Sequence, residues 1–237
     1  MKEKSFQKRV KLYLVMLLEP TTFLLMGGGI LTVSVGNVIL ADICKSSSPY
    51  FYTMYQQVSC QITQIIYIIL IVFIWHRLMS PRLEETTWLL MAMKTPRMKV
   101  FRTKLLILWS LNGIIGVVFF TCQTLVGWII DSHYVVLFST YREWVMIGLG
   151  GGVYGMFTML LTQWRPSTMA ILIPLILFIM VHNLSYEGIL FSIFQILLGV
   201  GKPMNPLHVI WTSWFILLLT LLNRSIYQQR DFIFIEK

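Results

Sequence analysis

Charged side chains are missing from long parts of this chain, and that constrains its fold more than any other feature. Six stretches contain almost no Asp, Glu, Lys or Arg: 21–41, 61–75, 105–130, 144–163, 167–183 and 206–223. Most come near the ~20 apolar residues that a helix needs to cross a bilayer. The second reaches that length if its helix begins near Met54 or continues past His76. The sequence therefore predicts an all-α, polytopic membrane protein with six transmembrane helices in a lipid bilayer.

The composition agrees with a membrane protein. Of the 237 residues, 57% are hydrophobic and only 12% are charged, whereas soluble domains average about 25% charged. The spans leave too little chain for a globular domain, so we expect a single transmembrane domain over 1–237. A net charge of +9 could indicate nucleic-acid binding in a soluble protein. Here we expect no nucleic-acid partner, because the charge follows the membrane topology.

The basic residues predict the orientation of the chain. With the N-terminus inside, the outside loops keep only Lys45, Arg142 and Lys202 of the 19 basic residues. Positively charged loops stay in the cytoplasm. We therefore expect a multi-pass protein of the cytoplasmic membrane, with both termini in the cytoplasm.

Two further segments lie between or before the predicted spans. Residues 5–18 mix basic and apolar positions before a break at Glu19-Pro20, which predicts an interfacial helix. The alternative is a long first span from Leu12, which would place Glu19 in lipid. Segment 184–205 is apolar but too short to span, and Gly and Pro interrupt its end. It is predicted to be a re-entrant helix on the outside, or an interfacial loop helix without a functional role.

Segment 76–104 is the longest charged stretch of the chain. Ser80 is a good helix cap, and Glu84 and Glu85 follow in the first turn, near the positive end of the helix dipole. Pro96 can end this helix and start the next one. The pattern predicts a short cytoplasmic helix between spans two and three.

Polar residues inside the predicted spans are few. Asn37, Asn112 and Gln123 are candidates for a translocation path. The alternative is that they form interhelical hydrogen bonds, an interpretation that we favour for Asn112 and Gln123. No charged residue lies centrally in a span, which argues against coupling to protons or sodium.

Small residues recur every four positions in two spans. The first span contains Gly28, Thr32 and Gly36, and the fourth contains the pairs Gly148 with Gly152 and Gly151 with Gly155. Such spacing lets helix backbones approach closely in lipid. The stripes indicate either ordinary helix packing, which we favour, or a sliding surface.

Several kinds of catalytic site are missing from the sequence. No Gly-rich loop precedes Lys-Ser or Lys-Thr, so we expect no ATPase site and no cofactor in this chain. The pair Glu84-Glu85 resembles that of intramembrane prenyl proteases, but Leu89 stands where that motif needs arginine. The four histidines form no His-x-x-x-His pair, so we expect no metal site. Cys44 and Cys60 flank the first outside loop, either as free thiols, which we favour, or as a disulfide.

The order of these elements resembles the membrane subunits of type-2 ABC exporters. In that family, too, an interfacial helix precedes six spans, a cytoplasmic helix joins spans two and three, and a re-entrant element lies between spans five and six. The local match comprises Glu84-Glu85-Thr86-Thr87-Trp88-Leu89-Leu90, then Thr95-Pro96-Arg97, then Lys104. The chain departs from the family pattern where Thr86 and Thr103 replace glycines, and where arginine follows the proline directly.

The resemblance implies a coupling helix that docks into a P-loop ATPase subunit, where ATP and Mg are bound. The docking residues that it implies are Glu84, Glu85, Trp88, Leu89 and Arg97. It also implies a second copy of this permease, or a related one. Short members of the family include peptide exporters and bacteriocin-immunity pumps, so the cargo would be an amphipathic peptide or lipid-like molecule. The alternative function is a non-transporting membrane scaffold or assembly factor.

The predicted orientation can be tested by cysteine accessibility. A single cysteine at Lys94 should react with a membrane-impermeant reagent only after the cells are opened, because segment 76–104 is predicted to be cytoplasmic. A cysteine at Lys202 should react in intact cells and serves as the control. Labelling at Lys94 from outside would contradict the orientation.

Overall fold

The described part of the chain is a bundle of helices. The computed structural model describes residues 20–47, 51–79, 96–130, 138–164, 168–183 and 206–229. Within these ranges the chain forms six helices and no strand: α1 (Pro20–Ser47), α2 (Phe51–Leu78), α3 (Arg97–Ile130), α4 (Phe138–Trp164), α5 (Met169–Asn183) and α6 (Pro206–Gln229). The all-α prediction is confirmed for these residues. The predicted interfacial helix 5–18, residues 80–95 of the coupling segment and the predicted re-entrant segment 184–205 lie outside them.

Four of the described helices are long and apolar enough to cross a membrane. The spans are Gln61–Leu78, Met98–Ile129, Trp144–Trp164 and Val209–Gln229. The described residues of α1 and α5 contribute shorter apolar stretches, Met26–Ile39 and Met169–Val181. These lengths support a membrane protein, whereas crossings by α1 and α5 remain a prediction.

Prolines mark the beginnings of three helices. α1 and α6 begin at Pro20 and Pro206, where a missing N–H costs nothing because the first turn has no intrahelical acceptor. The carbonyl of Pro96 accepts hydrogen bonds from the backbone N–H groups of Lys99 at 2.8 Å and Val100 at 3.4 Å. α3 therefore starts two turns before the predicted span at 105, and the basic residues of 97–104 belong to the helix itself.

α4 lies at the centre of the described bundle. It packs most extensively against α2 and α6, and it also contacts α3 and α5. α1 packs on α2 and α3, on the side away from α6. In α4, 67% of the candidate span is buried, against 17% in α6, so α6 lies at the edge of these helices and presents an apolar face outward.

Three glycines of α4 each lie against an aromatic ring of a neighbouring helix: Gly151 against Tyr67, Gly152 against Trp109 and Gly155 against Trp75. We call these three residues the glycine face. A methyl group at Gly155 would lie 2.5 Å from ring atoms of Trp75, which is closer than real contacts allow. The Trp75 and Trp109 rings also meet edge to face, with centroids 6.1 Å apart. The spacing predicted for α4 therefore corresponds to close helix packing at these three positions.

The glycine stripe of α1 has a different setting. At Gly28 and Gly36 no neighbouring atom lies within 4 Å of where a Cβ would stand. Thr32 between them is exposed, and its hydroxyl donates to the Gly28 carbonyl at 2.7 Å. α1 approaches the bundle through Gly29 instead, whose added Cβ would lie 2.6 Å from Leu70 of α2. The predicted stripe thus faces away from the described helices.

The glycine face should be intolerant of even one methyl group. We expect Gly152→Ala to destabilise the protein by about 1–3 kcal/mol, because the Trp109 ring occupies the space. Gly148→Ala on the same helix has open space and should be neutral or stabilising by up to about 1 kcal/mol, from helix propensity. Unfolding in mild detergent measures both. Equal stability of the two variants would contradict the described packing.

Candidate functional site

The three candidate path residues are all buried between helices. Asn37 and Gln123 are fully buried, and Asn112 is 3% exposed. Each accepts a hydrogen bond from a side chain of a neighbouring helix. The three differ in whether the NH₂ group of the amide also donates a hydrogen bond. This difference decides which of them has a donor left for a ligand.

Asn112 uses both ends of its amide group. The Tyr67 hydroxyl of α2 donates to Asn112 Oδ1 at 2.7 Å, and Asn112 Nδ2 donates to the Gly148 carbonyl of α4 at 3.0 Å. A Cβ at Gly151 would lie 2.9 Å from Asn112 Oδ1, so the glycine face makes room for this contact. Asn112 therefore connects α2, α3 and α4 and has no unpaired polar atom.

Gln123 uses only its carbonyl oxygen. The Trp144 indole Nε1–H of α4 donates to Gln123 Oε1 at 3.1 Å. The Tyr55 hydroxyl of α2 donates to the Gln123 backbone carbonyl at 3.2 Å. The amide nitrogen Nε2 of Gln123 is buried and has no hydrogen-bond partner among the described residues. This site also links α2, α3 and α4, but it leaves a donor unused.

Asn37 is arranged in the same way between α1 and α2. Its Oδ1 accepts from the Ser59 hydroxyl at 2.8 Å, while its Nδ2 is buried and no residue in the described ranges accepts from it. The interhelical hydrogen bonds favoured for Asn112 and Gln123 are therefore present, and Asn37 forms one as well.

A fourth polar site, which the sequence did not single out, lies where α2 ends. His76 Nδ1 lies 3.0 Å from Thr162 Oγ1 of α4. The Thr162 hydroxyl already donates to the Thr158 carbonyl at 2.8 Å, so Nδ1 must be the donor of the His76 pair. A histidine at the end of an apolar run gives no sequence signal for such a partner.

A fifth site joins α6 to the central helix. Asn223 Nδ2 donates to the Met156 carbonyl of α4 at 3.0 Å and to the Leu219 carbonyl of its own helix at 2.8 Å. Asn223 is fully buried. As the last residue of the stretch 206–223, it carried the same polar-in-span signal as Asn112.

Four of these side chains lie along α2: Tyr55, Ser59, Tyr67 and His76. We call them the α2 polar ladder. At about 1.5 Å per residue the ladder extends over about 32 Å, close to the ~30 Å thickness of the hydrocarbon core of a bilayer. Side chains that are hydrogen-bonded to neighbouring helices thus occur along most of the length of α2.

The predicted coupling residues fall mainly outside the described ranges. Glu84, Glu85, Trp88 and Leu89 are in 80–95, and Arg97 is the first residue of α3. The described residues include the ends of α2 and α3 that flank this segment, and both ends contact other helices. The His76–Thr162 contact ties the end of α2 to α4, and the Phe101 and Tyr227 rings, 5.2 Å apart, tie the start of α3 to α6.

No protein-family model matches this chain, and no curated protein matches it. Among the residues whose placement is described, no three His, Cys, Asp or Glu side chains are grouped as metal ligands would be. The helices, the polar sites and the sequence pattern are therefore the features that indicate a function.

The Tyr67–Asn112 hydrogen bond should contribute measurably to stability. We expect Tyr67→Phe to cost about 1 kcal/mol, because it keeps the ring but leaves Asn112 Oδ1 without a donor. Thr121→Val is the control, since that exposed hydroxyl bonds only to Val117 of its own helix. Unfolding in mild detergent measures both, and a double-mutant cycle with Asn112→Leu isolates the pair. A coupling energy of zero would show that the bond contributes nothing.

Proposed function

We propose that this chain is the membrane-spanning subunit of an ATP-driven exporter of the type-2 ABC class. In this proposal it crosses the cytoplasmic membrane six times and has both termini inside. It moves an amphipathic peptide or lipid-like substrate across or out of that membrane. A separate P-loop ATPase subunit, which holds ATP and Mg, supplies the energy. Peptide export and bacteriocin immunity are the roles that this size and the resemblance favour.

One observation carries the proposal: both helices that flank 80–95 are anchored to other helices close to that segment. His76 is hydrogen-bonded to Thr162, near the end of α4. Four residues into α3, Phe101 packs on Tyr227 of α6. A displacement of 80–95 by an ATPase would therefore reach the central helix and the edge helix through direct contacts, as mechanical coupling requires.

The interior of the bundle suits a cargo that is mostly apolar with some hydrogen-bonding groups. The α2 polar ladder consists of hydroxyl and imidazole groups, and Asn37, Asn112 and Gln123, which accept hydrogen bonds from it, add amides; none of these side chains is a carboxylate. Amphipathic peptides and lipids expose both apolar surface and carbonyl oxygens. Such an interior can therefore contact them without a charged side chain to pair with each molecule of cargo. ATP hydrolysis would then replace an ion gradient as the energy source.

The proposal also requires a second permease subunit, either another copy or a related chain. The Gly28–Gly36 stripe of α1 faces away from the described helices and has open space at both glycines. Small residues at this spacing let a helix of another subunit approach closely in lipid. α1 is therefore our candidate for the contact between permeases.

The alternative is a membrane scaffold or assembly factor that transports nothing. The complete pairing of Asn112 supports it, because a saturated polar group fits a fixed structure. A scaffold needs no ATPase, so the identity of the chains that co-purify with this protein separates the two functions.

Docking of the ATPase tests the proposed function directly. We expect Trp88→Ala to reduce ATPase binding by about 2 kcal/mol, roughly 30-fold in affinity, because aromatic anchors dominate interfaces. Reversing charge with Glu84→Lys and Glu85→Lys should slow association. The measurement is the amount of P-loop ATPase that co-purifies in mild detergent, together with export, at equal membrane expression.

The control is Trp164→Ala, at the end of α4, which by the predicted topology is on the cytoplasmic side. Trp164 is 82% exposed and lies outside the coupling segment, so its loss should leave ATPase binding unchanged. Wild-type assembly and export in the Trp88 and double-lysine variants would exclude 80–95 as the docking site. Absence of any ATPase from the wild-type preparation would favour the scaffold.

A further inference from the structure

Two buried amide groups near the start of α2 have hydrogen atoms for which the described residues provide no acceptor. Gln123 Nε2 and Asn37 Nδ2 are each fully enclosed and lack a hydrogen-bond partner. Buried polar groups in folded proteins are nearly always paired, with protein atoms or with an ordered ligand such as water. Both groups need the same kind of partner, a hydrogen-bond acceptor, because an N–H group can only donate.

The orientation of the Gln123 amide is fixed by its neighbour. The Trp144 indole nitrogen can only donate, so the atom 3.1 Å from it must be the amide oxygen. Exchanging the oxygen and nitrogen of Gln123 would bring two donors together. The unpaired group is therefore the NH₂, and it needs an oxygen acceptor.

The two amides flank the same turn of α2. The Tyr55 hydroxyl donates to the Gln123 backbone carbonyl, and the Ser59 hydroxyl donates to Asn37 Oδ1. Tyr55 and Ser59 are one turn apart on one face of α2, about 6 Å along the axis. α1 and α3, which carry the two amides, also pack against each other.

Buried amides in this bundle differ in how fully they are paired: Asn112 uses both ends, whereas among the described residues Gln163 pairs neither end and Asn223 leaves its oxygen unpaired. Asn112, on α3, meets α2 at Tyr67, about three turns beyond Tyr55, and donates its NH₂ to the Gly148 carbonyl. Gln123 and Asn37 have no such carbonyl in reach. The difference lies in the surroundings of the residues rather than in residue type.

We infer that the Tyr55 end of the bundle binds an oxygen-bearing ligand, which accepts hydrogen bonds from the amide groups of Gln123 and Asn37. Its chemistry is that of a neutral oxygen acceptor: a water molecule, or the carbonyl of a lipid ester. The site exists whether or not the chain is an exporter, since it follows from the buried donors alone. If the chain does export, this is the part of the bundle that can hold a cargo carbonyl.

X-ray hydroxyl-radical labelling of the full chain in nanodiscs tests the site. Radicals generated from bound water modify adjacent side chains even when these are buried. Tyr55 and Tyr67 are a matched pair: both are fully buried phenols of α2, and both donate to a carbonyl of α3. Tyr55 should be labelled several-fold faster than Tyr67, with the label carrying ¹⁸O after exchange into H₂¹⁸O.

The second arm detects a carbonyl instead of water. Solid-state NMR of ¹⁵N-glutamine protein in ¹³C-carbonyl lipid should show contact between the Gln123 side chain and a lipid carbonyl if lipid is the ligand. Gln123→Leu identifies the signal by its loss, and the same variant should bring Tyr55 labelling down to the level of Tyr67. Because the wild-type comparison decides by itself, a variant that fails to fold does not affect the test.

The outcomes separate cleanly. Faster labelling of Tyr55 assigns the site to water, and a carbonyl contact without such labelling assigns it to lipid. Equal labelling of the two tyrosines together with no carbonyl contact would overturn the inference, because the amides would then be buried dry. ATPase co-purification plays no part in this readout, so failure here and failure of the proposed exporter function remain distinguishable.

Discussion

The glycine face of α4, where three residues have no side chain, determines how closely the neighbouring helices can approach α4. Lipid tails are as apolar as leucine, so burying apolar surface does little to hold transmembrane helices together. Close backbone approach and interhelical hydrogen bonds must do it instead. The rings that lie against Gly151, Gly152 and Gly155 bring α2 and α3 up to α4. Only at that separation can Tyr67, Asn112 and the Gly148 carbonyl form a continuous set of hydrogen bonds.

The buried amides then divide into two kinds with different consequences. Asn112 is saturated by neighbouring helices, so it fixes their positions and has nothing left to offer a ligand. Asn37 and Gln123 use their oxygens to hold helices together and keep their NH₂ groups unpaired. Of the three residues predicted as candidates for a translocation path, Asn37 and Gln123 therefore keep a donor for a ligand and Asn112 does not. The same three residues looked equivalent in the sequence, because polarity alone does not show how many partners a side chain finds.

The fold class could be predicted because the hydrocarbon core excludes charge, and that exclusion is visible residue by residue. The ends of the helices and their rotation about their own axes could not be predicted from the sequence. α3 begins two turns before the last basic residues because Pro96, rather than the charges, sets its start. The spacing in α4 predicted a packing stripe, but Gly148 and Gly152 fit the pattern equally, and only the rotation of the helix places Trp109 on Gly152. The Thr162 partner of His76 lies far along the chain, so no local pattern could indicate it.

The same contacts indicate which part of the bundle can move as one body. α2 and α4 are joined by the glycine face and by His76, and α3 is joined to both through Asn112. Separating them would break several hydrogen bonds and uncover the glycines at once. α5 has weaker ties: it is 15 residues long, about 22 Å, with Pro174 inside it. A conformational change that preserves these contacts would therefore displace α5 more easily than α2, α3 or α4. α1 packs along both α2 and α3, so moving it away would also break the hydrogen bond between Ser59 and Asn37 inside the apolar bundle.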